Sequence, residues 1–270
     1  MIRLIKIEYL KLKKLKALWI LTGLYLIALL AISLSAKLFL DYLTSRGVEF
    51  QGFNPSMLPI YDFNDIWQNL AYLAGYFKVF PALILIISVS NEFSYRTHRQ
   101  NIIDGLSRTE FFLSKLSFAA FLALLSAAVL LVTGLVLGFK YSPVTGVADI
   151  FENIVFIPVH ALQFFTYFLF AIWLVLLIRK TAITILLLLL YTVILEPIAA
   201  GLLYSKIFDL SVVADILPMQ AIGNLVPIPF GKYALQYTQD YVGAADLGFA
   251  LLWATIFTGG IFYILRKRDF

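Results

Sequence analysis

The sequence predicts an all-α membrane protein with six transmembrane helices and both termini on the cytoplasmic side. Of its 270 residues, 61% are hydrophobic and only 14% are charged, and the mean hydropathy is +0.90. Soluble domains carry about 25% charged residues. Six stretches are apolar over about 20 residues, the length that a helix needs to cross the hydrocarbon core. Continuous apolar runs favour a helical bundle over a β-barrel, whose strands alternate apolar and polar residues.

The predicted spans are residues 17–36, 66–89, 116–139, 153–178, 181–204 and 247–265. Lys78 and Glu196 are the only Lys, Arg, Asp or Glu residues inside them. The first span is too long to be a removable signal peptide, and it has no cleavage site of small residues. We therefore expect it to remain in the mature chain. No internal repeat is found, so residues 1–270 are expected to form a single transmembrane domain.

The positions of the charges predict the orientation. Lys and Arg collect at the N-terminus, in residues 91–115, at 179–180 and at 266–268, whereas the alternate loops carry mostly acidic residues. By the positive-inside rule the basic segments are cytoplasmic. The net charge of +5 is therefore attributed to topology, and no nucleic-acid partner is expected. The lack of cysteine excludes disulfides and thiolate metal sites, and no metal site is expected. We predict a multi-pass protein of the cytoplasmic (inner) membrane.

Residues 1–16 predict an amphipathic helix, with Leu4 and Leu12 on an apolar arc and lysines on the opposite arc. Such a helix lies on a membrane surface, where anionic lipid attracts its basic face. Glu8 projects from the apolar arc, where an unpaired carboxylate would be costly to desolvate. We therefore expect Glu8 to have a partner in this chain or in another.

The last outer loop, residues 205–241, includes the apolar stretch VVADILPMQAIGNLVPIPFG. The prolines and glycines of this stretch forbid one long helix. Irregular backbone at membrane depth must be covered by protein. We expect short helices that lie at the outer leaflet or dip partly into it.

A polar segment separates the second and third spans and reads NEFSYRTHRQNIIDGLSRTEFFLSK, residues 91–115. Residues 91–104 have helical character, and Gly105 is placed to end that helix in a left-handed conformation. Ser107 and Glu110 match the S-x-x-E capping box, so a new helix is expected to start there and run into the third span.

Within the first part of this segment, Glu92 and Arg96 are spaced i,i+4, and Arg99 follows at i+3 from Arg96. This spacing predicts a charged face with a Glu–Arg pair on the cytoplasmic surface. The alternative is a solvated loop whose charges only anchor the topology.

The segment resembles the cytoplasmic loop between the second and third helices of ABC-2 type permeases, the membrane subunits of certain ATP-binding-cassette transporters. The resemblance is carried by NEFSYRT, RQNIIDGLSR and EFFLSK, and by the order of an amphipathic N-terminal helix, six spans and an embedded loop before the last span. It therefore covers essentially the whole chain. Many relatives have a glycine where this sequence has Arg96.

The resemblance implies a permease subunit of an exporter, in which residues 1–16 form a connecting helix and residues 91–110 form the segment that couples to a cytoplasmic P-loop ATPase. It implies a second permease copy or a similar permease, as a homodimer or heterodimer. It assigns ATPase coupling to Glu8, Glu92, Arg96, Thr97, Arg99, Ile103, Gly105, Ser107 and Arg108.

The chain itself contains no phosphate-binding G-x-x-x-x-G-K-[ST] motif and neither of the hydrolase motifs H-E-x-x-H and G-x-S-x-G. We therefore expect no enzymatic activity and no cofactor on this chain, with ATP and Mg²⁺ bound by the partner ATPase. The alternative function is a six-span scaffold or assembly factor with no ATPase partner.

The ionisable residues inside the spans are candidates for a translocation path, because such groups usually face a bundle interior or a cavity. At 1.5 Å per residue, Lys78 lies about 16 Å and Glu196 about 21 Å from the cytoplasmic ends of their spans. We expect the two to pair, either as a gate or substrate contact or as a structural ion pair. A protonated Glu196 beside the Pro197 kink is a further alternative.

His160 and Gln163, spaced i,i+3 on the fourth span, are either path residues or partners in interhelical hydrogen bonds. Gly134 and Gly138 have the small-xxx-small spacing of a close helix contact. Trp67 is expected to be an anchor at the membrane interface.

Overall fold

The computed structural model describes residues 2–48, 54, 56, 58–95, 97, 100, 103, 105, 107–205, 210–229 and 239–267. All secondary structure among these residues is helical. The helices are α1 (Ile2–Leu12), α2 (Lys16–Ser45), α3 (Phe63–Gly75), α4 (Val79–Ser94), α5 (Arg108–Tyr141), α6 (Val147–Phe151), α7 (Phe156–Ile178), α8 (Thr181–Leu190), a π-helical turn (Tyr191–Leu195), α9 (Glu196–Tyr204), α10 (Ser211–Ile216), α11 (Pro218–Asn224) and α12 (Ala244–Lys267).

Within the described part of the chain, five helices are long and apolar enough to cross a membrane, and the bent pair of α3 and α4 makes a sixth if it counts as one span. The five are Lys16–Ser45, Arg108–Tyr141, Val147–Ile178, Thr181–Tyr204 and Ala244–Lys267. The prediction of an all-helical, multi-pass chain is confirmed. The first and third spans extend well beyond their apolar stretches, to Ser45 and from Arg108.

Helix α7 is the centre of the bundle. It contacts α3, α4, α5, α8 and α12, and Phe164, Phe168 and Ile172 on it are fully buried. A helix that is apolar on all sides is expected in such a position. Helix α2 and the run from α8 to α9 are peripheral, and each exposes a long apolar face.

Helices α3 and α5 pack closely through the two predicted glycines. The ring of Trp67 fills the space over Gly134, and the ring of Phe63 fills the space over Gly138. Trp67 is completely buried, and its Nε1 donates to the carbonyl of Ile150 over 2.9 Å. The prediction that Trp67 anchors the membrane interface is therefore wrong, because the glycines create a groove that accepts its ring.

Both spans that carry a charge are irregular near it. The second span bends by 46° between Gly75 and Val79, and Lys78 lies in the break. In the fifth span, the π-helical turn immediately precedes Glu196 and Pro197. Proline has no N–H to donate to the preceding turn, and π-bulges and prolines are common causes of helix distortion. These breaks place Lys78 and Glu196 at the positions where helix geometry changes.

Helices α10 and α11 form a short hairpin in the loop between α9 and α12. They are separated at Leu217, and Pro218 occupies the first turn of α11, where its missing N–H costs nothing. Met219, Ala221 and Ile222 are buried. The predicted short helices of residues 205–241 are thus observed, while 206–209 and 230–238 lie outside the described residues.

Candidate functional site

Four charged side chains meet at the end of the bundle that carries α1. They form the ion cluster: Glu8 and Lys11 of α1, Glu92 of α4 and Lys115 of α5. Lys115 Nζ lies 2.7 Å from Glu8 Oε2 and 2.8 Å from Glu92 Oε2. Lys11 Nζ lies 2.9 Å from Glu92 Oε1 and 3.3 Å from Glu8 Oε1. Each carboxylate therefore contacts both ammonium groups, and the formal charges cancel.

Glu8 enters the cluster because it belongs to the buried stripe of α1. Leu4, Glu8 and Leu12 are buried at i, i+4 and i+8 and face α5. Ser114 Oγ also donates to Glu8 Oε1 over 3.2 Å. The predicted partner of Glu8 is thus confirmed, and it comes from the same chain. Burial acts to raise the pKa of Glu8, but the charges of Lys115 and Lys11 outweigh it and hold the pKa below its ordinary value.

Glu92 points into the bundle, with only 5% of its surface exposed. Helix α4 continues through Glu92 to Ser94, so Glu92 occupies the last turns of the second span and turns toward Lys115. The prediction that Glu92 is exposed on the cytoplasmic surface is wrong for this reason, and its pairing with Arg96 stays a prediction. Arg96 and Arg99, predicted for the same face, lie outside the described residues.

The end of the polar segment has the predicted local structure. Gly105 has φ +94°, the left-handed conformation that favours glycine. Glu110 N donates to Ser107 Oγ over 3.1 Å, and Ser107 N donates to Glu110 Oε2 over 2.9 Å, which completes the capping box. The sequence thus predicted the entry into α5 correctly.

Several predicted coupling residues are exposed at this end of the bundle. Thr97, Gly105, Ser107 and Arg108 are exposed, and Ile103 exposes 76% of its surface. Arg108 Nη1 donates to the carbonyl of Arg266 over 2.8 Å, which ties the start of α5 to the end of α12. The described members of the predicted coupling set therefore divide into Glu8 and Glu92, which are buried, and these exposed residues.

A cavity of about 500 Å³ lies between α3, the α3–α4 break, α7, the π-helical turn and α11. Its wall includes apolar residues such as Val79, Leu189, Val193 and Ile228. Its main polar side chains are Tyr72, Tyr76, Lys78, Gln163, Tyr167 and Asn224. Ligand pockets typically have volumes of about 300–1,000 Å³ and an apolar wall with a few polar groups.

The charged residues of the second and fifth spans do not form a salt bridge. Glu196 Oε1 accepts from the backbone N–H of Met219 over 2.5 Å and of Gln220 over 2.8 Å. The carboxylate thus caps the N-terminus of α11, where helix N–H groups lack intrahelical partners. Lys78 Nζ instead lies over the ring of Tyr167, 5.1 Å from its centre. The predicted direct pair is wrong, because the amides of α11 engage Glu196.

Gln163 and His160 have different surroundings. Gln163 lines the cavity, and its Nε2 donates to the carbonyl of Ile222 over 3.1 Å. His160 Nε2 is 2.9 Å from Ser126 Oγ, which also forms a hydrogen bond with the hydroxyl of Tyr25. His160 therefore belongs to a chain of interhelical hydrogen bonds that links α7, α5 and α2, and among the described residues it is not part of the cavity wall.

Sequence reasoning missed two residues of the ion cluster as site residues, Lys11 and Lys115. The signal for Lys115 was present, because Phe111, Lys115 and Phe118 are buried on one face of α5 at i, i+4 and i+7. The third span was predicted to begin at residue 116, so Lys115 was left just outside it. A charge in register with an apolar stripe is the same signal that identified Glu8.

No protein-family model matches the chain, and no curated protein matches it either. The observations that bear on function are therefore the ion cluster, the exposed residues in the described part of the polar segment, and the cavity.

Proposed function

We propose that the chain is the permease subunit of an ABC-2 type exporter in the inner membrane, with both termini on the cytoplasmic side. The observation that carries this proposal is the ion cluster. It joins α1, the end of the second span and the start of the third span through contacts of 2.7–3.3 Å. Three elements that are distant in sequence thereby form one unit at a single end of the bundle.

Such a unit is suited to transmit force. The polar segment lies between Glu92 and Lys115, so movement of the segment acts on both spans through side chains that are already locked together. Breaking a buried ion pair costs about 3–5 kcal/mol, which favours movement of the three elements as a body. The buried Glu8 and Glu92 act here as positioning residues.

The contact with an ATPase would be made by the exposed residues of the same segment. Tyr95 and Ile103 each expose 76% of their surface, and Thr97 and Arg108 of the same segment are also exposed. Exposed apolar side chains rimmed by polar ones are typical of protein interfaces. ATP and Mg²⁺ would bind to that separate P-loop ATPase.

The cavity would belong to the translocation path, with Lys78 and Gln163 on its wall and Glu196 behind it as the cap of α11. A second permease copy, identical or similar, would complete the transporter. Closure of the ATPase subunits would then move the polar segments and reorient the path.

The test is purification of the tagged full-length chain from its native membrane in mild detergent, followed by identification of the proteins that accompany it. We expect a P-loop ATPase in stoichiometric amount and ATP hydrolysis by the complex. Ile103→Asp should reduce ATPase recovery by about tenfold, since a buried charge in an interface costs more than the roughly 1.4 kcal/mol that this factor represents.

The matched control is Val147→Asp. Val147 is also apolar and exposes 72% of its surface, but it lies at the opposite end of the bundle, after α5. This variant should keep the ATPase. If the wild-type chain carries no P-loop ATPase, the proposal is wrong and the six-span scaffold becomes the better assignment.

A further inference from the structure

The cavity contains a lysine, Lys78, that has no carboxylate within 4.0 Å among the described residues. Lys78 forms none of the ion pairs within 4.0 Å that those residues make. The nearest candidate, Glu196, uses an oxygen to accept two N–H groups of α11. Glu196 therefore attracts Lys78 only from beyond contact distance, and an ammonium group without a carboxylate in contact is costly inside a transmembrane bundle and marks sites of function. The geometry therefore leaves Lys78 available to a counter-charge from outside the chain.

A second polar group of the cavity, the side-chain oxygen of Gln163, lacks a hydrogen-bond partner among the described residues. Gln163 is 4% exposed, and its Nε2 is occupied by the carbonyl of Ile222. Its Oε1 has no hydrogen-bond partner in the described part of the chain, and a buried acceptor left in this state costs about 1–3 kcal/mol. This oxygen calls for a donor such as a hydroxyl group.

Part of the remaining wall is suited to an alkyl chain. Val79, Leu189, Val193 and Ile228 contribute apolar surface. Apolar surface beside one cation and one free acceptor matches a molecule with an anionic, hydroxyl-bearing head and a hydrocarbon tail.

We propose that the cavity binds the head group of an anionic amphiphile, a phosphate or carboxylate that carries a neighbouring hydroxyl, with Lys78 as its counter-charge and Gln163 as the acceptor for the hydroxyl. The tail extends over the apolar wall. The statement that this amphiphile is the transported substrate rests on the proposed function. Binding of the amphiphile does not depend on that function and can be measured on the chain alone.

Native mass spectrometry of the purified full-length chain tests the binding. Phosphatidylglycerol and phosphatidylcholine with identical acyl chains are added in equal amounts, and the bound lipid is counted. The wild type and Lys78→Arg should prefer phosphatidylglycerol, whereas Lys78→Met should lose that preference by about tenfold, equivalent to about 1.4 kcal/mol. Equal preference in wild type and Lys78→Met overturns the proposal.

The matched control is Lys140→Met, because Lys140 is an exposed lysine outside the cavity. Lys140→Met should prefer phosphatidylglycerol as the wild type does. A loss of this preference equal to that in Lys78→Met overturns the proposal. A parallel sample contains inorganic phosphate without lipid. If phosphate alone is retained as strongly as the lipid, the site binds a free anion and the assignment of an amphiphilic ligand is wrong.

A second pair of variants keeps the test valid if Lys78→Met does not fold. Gly223 lines the cavity, and a Cβ at this position meets no atom within 4 Å. Gly223→Leu should therefore occupy the cavity without breaking a contact and weaken lipid binding. Gly201 has equally open surroundings but lies outside the cavity wall, so Gly201→Leu should bind normally. Equal binding by both variants overturns the proposal.

The two proposals fail separately. A wild-type chain that carries no P-loop ATPase but keeps its Lys78-dependent lipid preference refutes the proposed function and leaves the cavity assignment standing. Normal ATPase association without a Lys78-dependent lipid preference refutes only the substrate class.

Discussion

Lys115 Nζ lies 2.7 Å from Glu8 Oε2, and the two residues are 107 positions apart in the chain. The contact joins the N-terminal helix to the third span, and both side chains are buried. Lys115 also contacts Glu92 at 2.8 Å, so a single ammonium group links three elements.

Lys115→Met should destabilise the fold strongly. It leaves the carboxylates of Glu8 and Glu92 with only Lys11 between them, and an uncompensated buried charge costs about 3–5 kcal/mol. We expect a clear fall in the melting temperature of the detergent-solubilised chain. Lys14→Met, at an exposed position of the same basic region, is the control and should melt as the wild type does. The double variant with Glu8→Gln restores the charge balance and should recover part of the loss, and no recovery would show that the charge balance is not the cause.

Acid should destabilise the cluster at a pH that depends on Glu8. The pKa of Glu8 is held below its ordinary value of 4.5, against the opposing effect of burial, by the charges of Lys115 and Lys11. A carboxyl group with a lowered folded-state pKa contributes stability above its unfolded-state pKa, and this contribution is lost as the pH falls through the folded-state pKa. Melting temperatures measured from pH 7 to pH 3 should therefore fall below about pH 4.5. The fall should be shallower in Glu8→Gln, and parallel curves for the two proteins would exclude Glu8 as the titrating group.

The sequence predicted the parts of the site that are written in local patterns. Glu8 was recognised because it interrupts an apolar stripe, and the capping box of Ser107 and Glu110 because its members are three residues apart. The inward direction of Glu92 was missed, because it depends on how far α4 continues and on where Lys115 lies across the bundle. These are tertiary relationships between elements about 20 residues apart or more.

The surroundings of Lys78 and Glu196 also depend on tertiary contacts that the sequence did not predict. The pair was predicted from similar depth in the membrane, but depth is a property of each span alone and does not show which groups of other segments compete for the carboxylate. The competing partners of Glu196 are backbone N–H groups of Met219 and Gln220, which lie on a different segment. Hydrogen bonds to backbone groups leave no signature in the side-chain pattern, so α11 was predicted as a short helix but its cap was not.

Glu196→Leu should loosen the hairpin of α10 and α11. The change removes the acceptor of the Met219 and Gln220 N–H groups, and each buried donor left unsatisfied costs about 1–3 kcal/mol. Hydrogen exchange over residues 211–224 should therefore become faster. Glu196→Gln keeps an acceptor oxygen without the charge and should exchange nearly as the wild type does. Lys78→Met should not affect this exchange, and faster exchange in that variant would mean that Lys78 does support Glu196.

Gly134→Ala and Gly138→Ala should each destabilise the contact of α3 with α5. A Cβ at Gly134 would overlap the ring of Trp67, and one at Gly138 would overlap the ring of Phe63. Overpacking of a well-packed interior costs about 1–3 kcal/mol. Gly23→Ala in α2 is the control, because a Cβ there meets no atom within 4 Å, and alanine is favoured over glycine in a helix by about 0.5–1 kcal/mol. Melting temperatures in detergent should therefore fall for the two α5 variants and stay level or rise for Gly23→Ala. Equal melting temperatures for all of these proteins would show that α3 and α5 can separate enough to admit a methyl group.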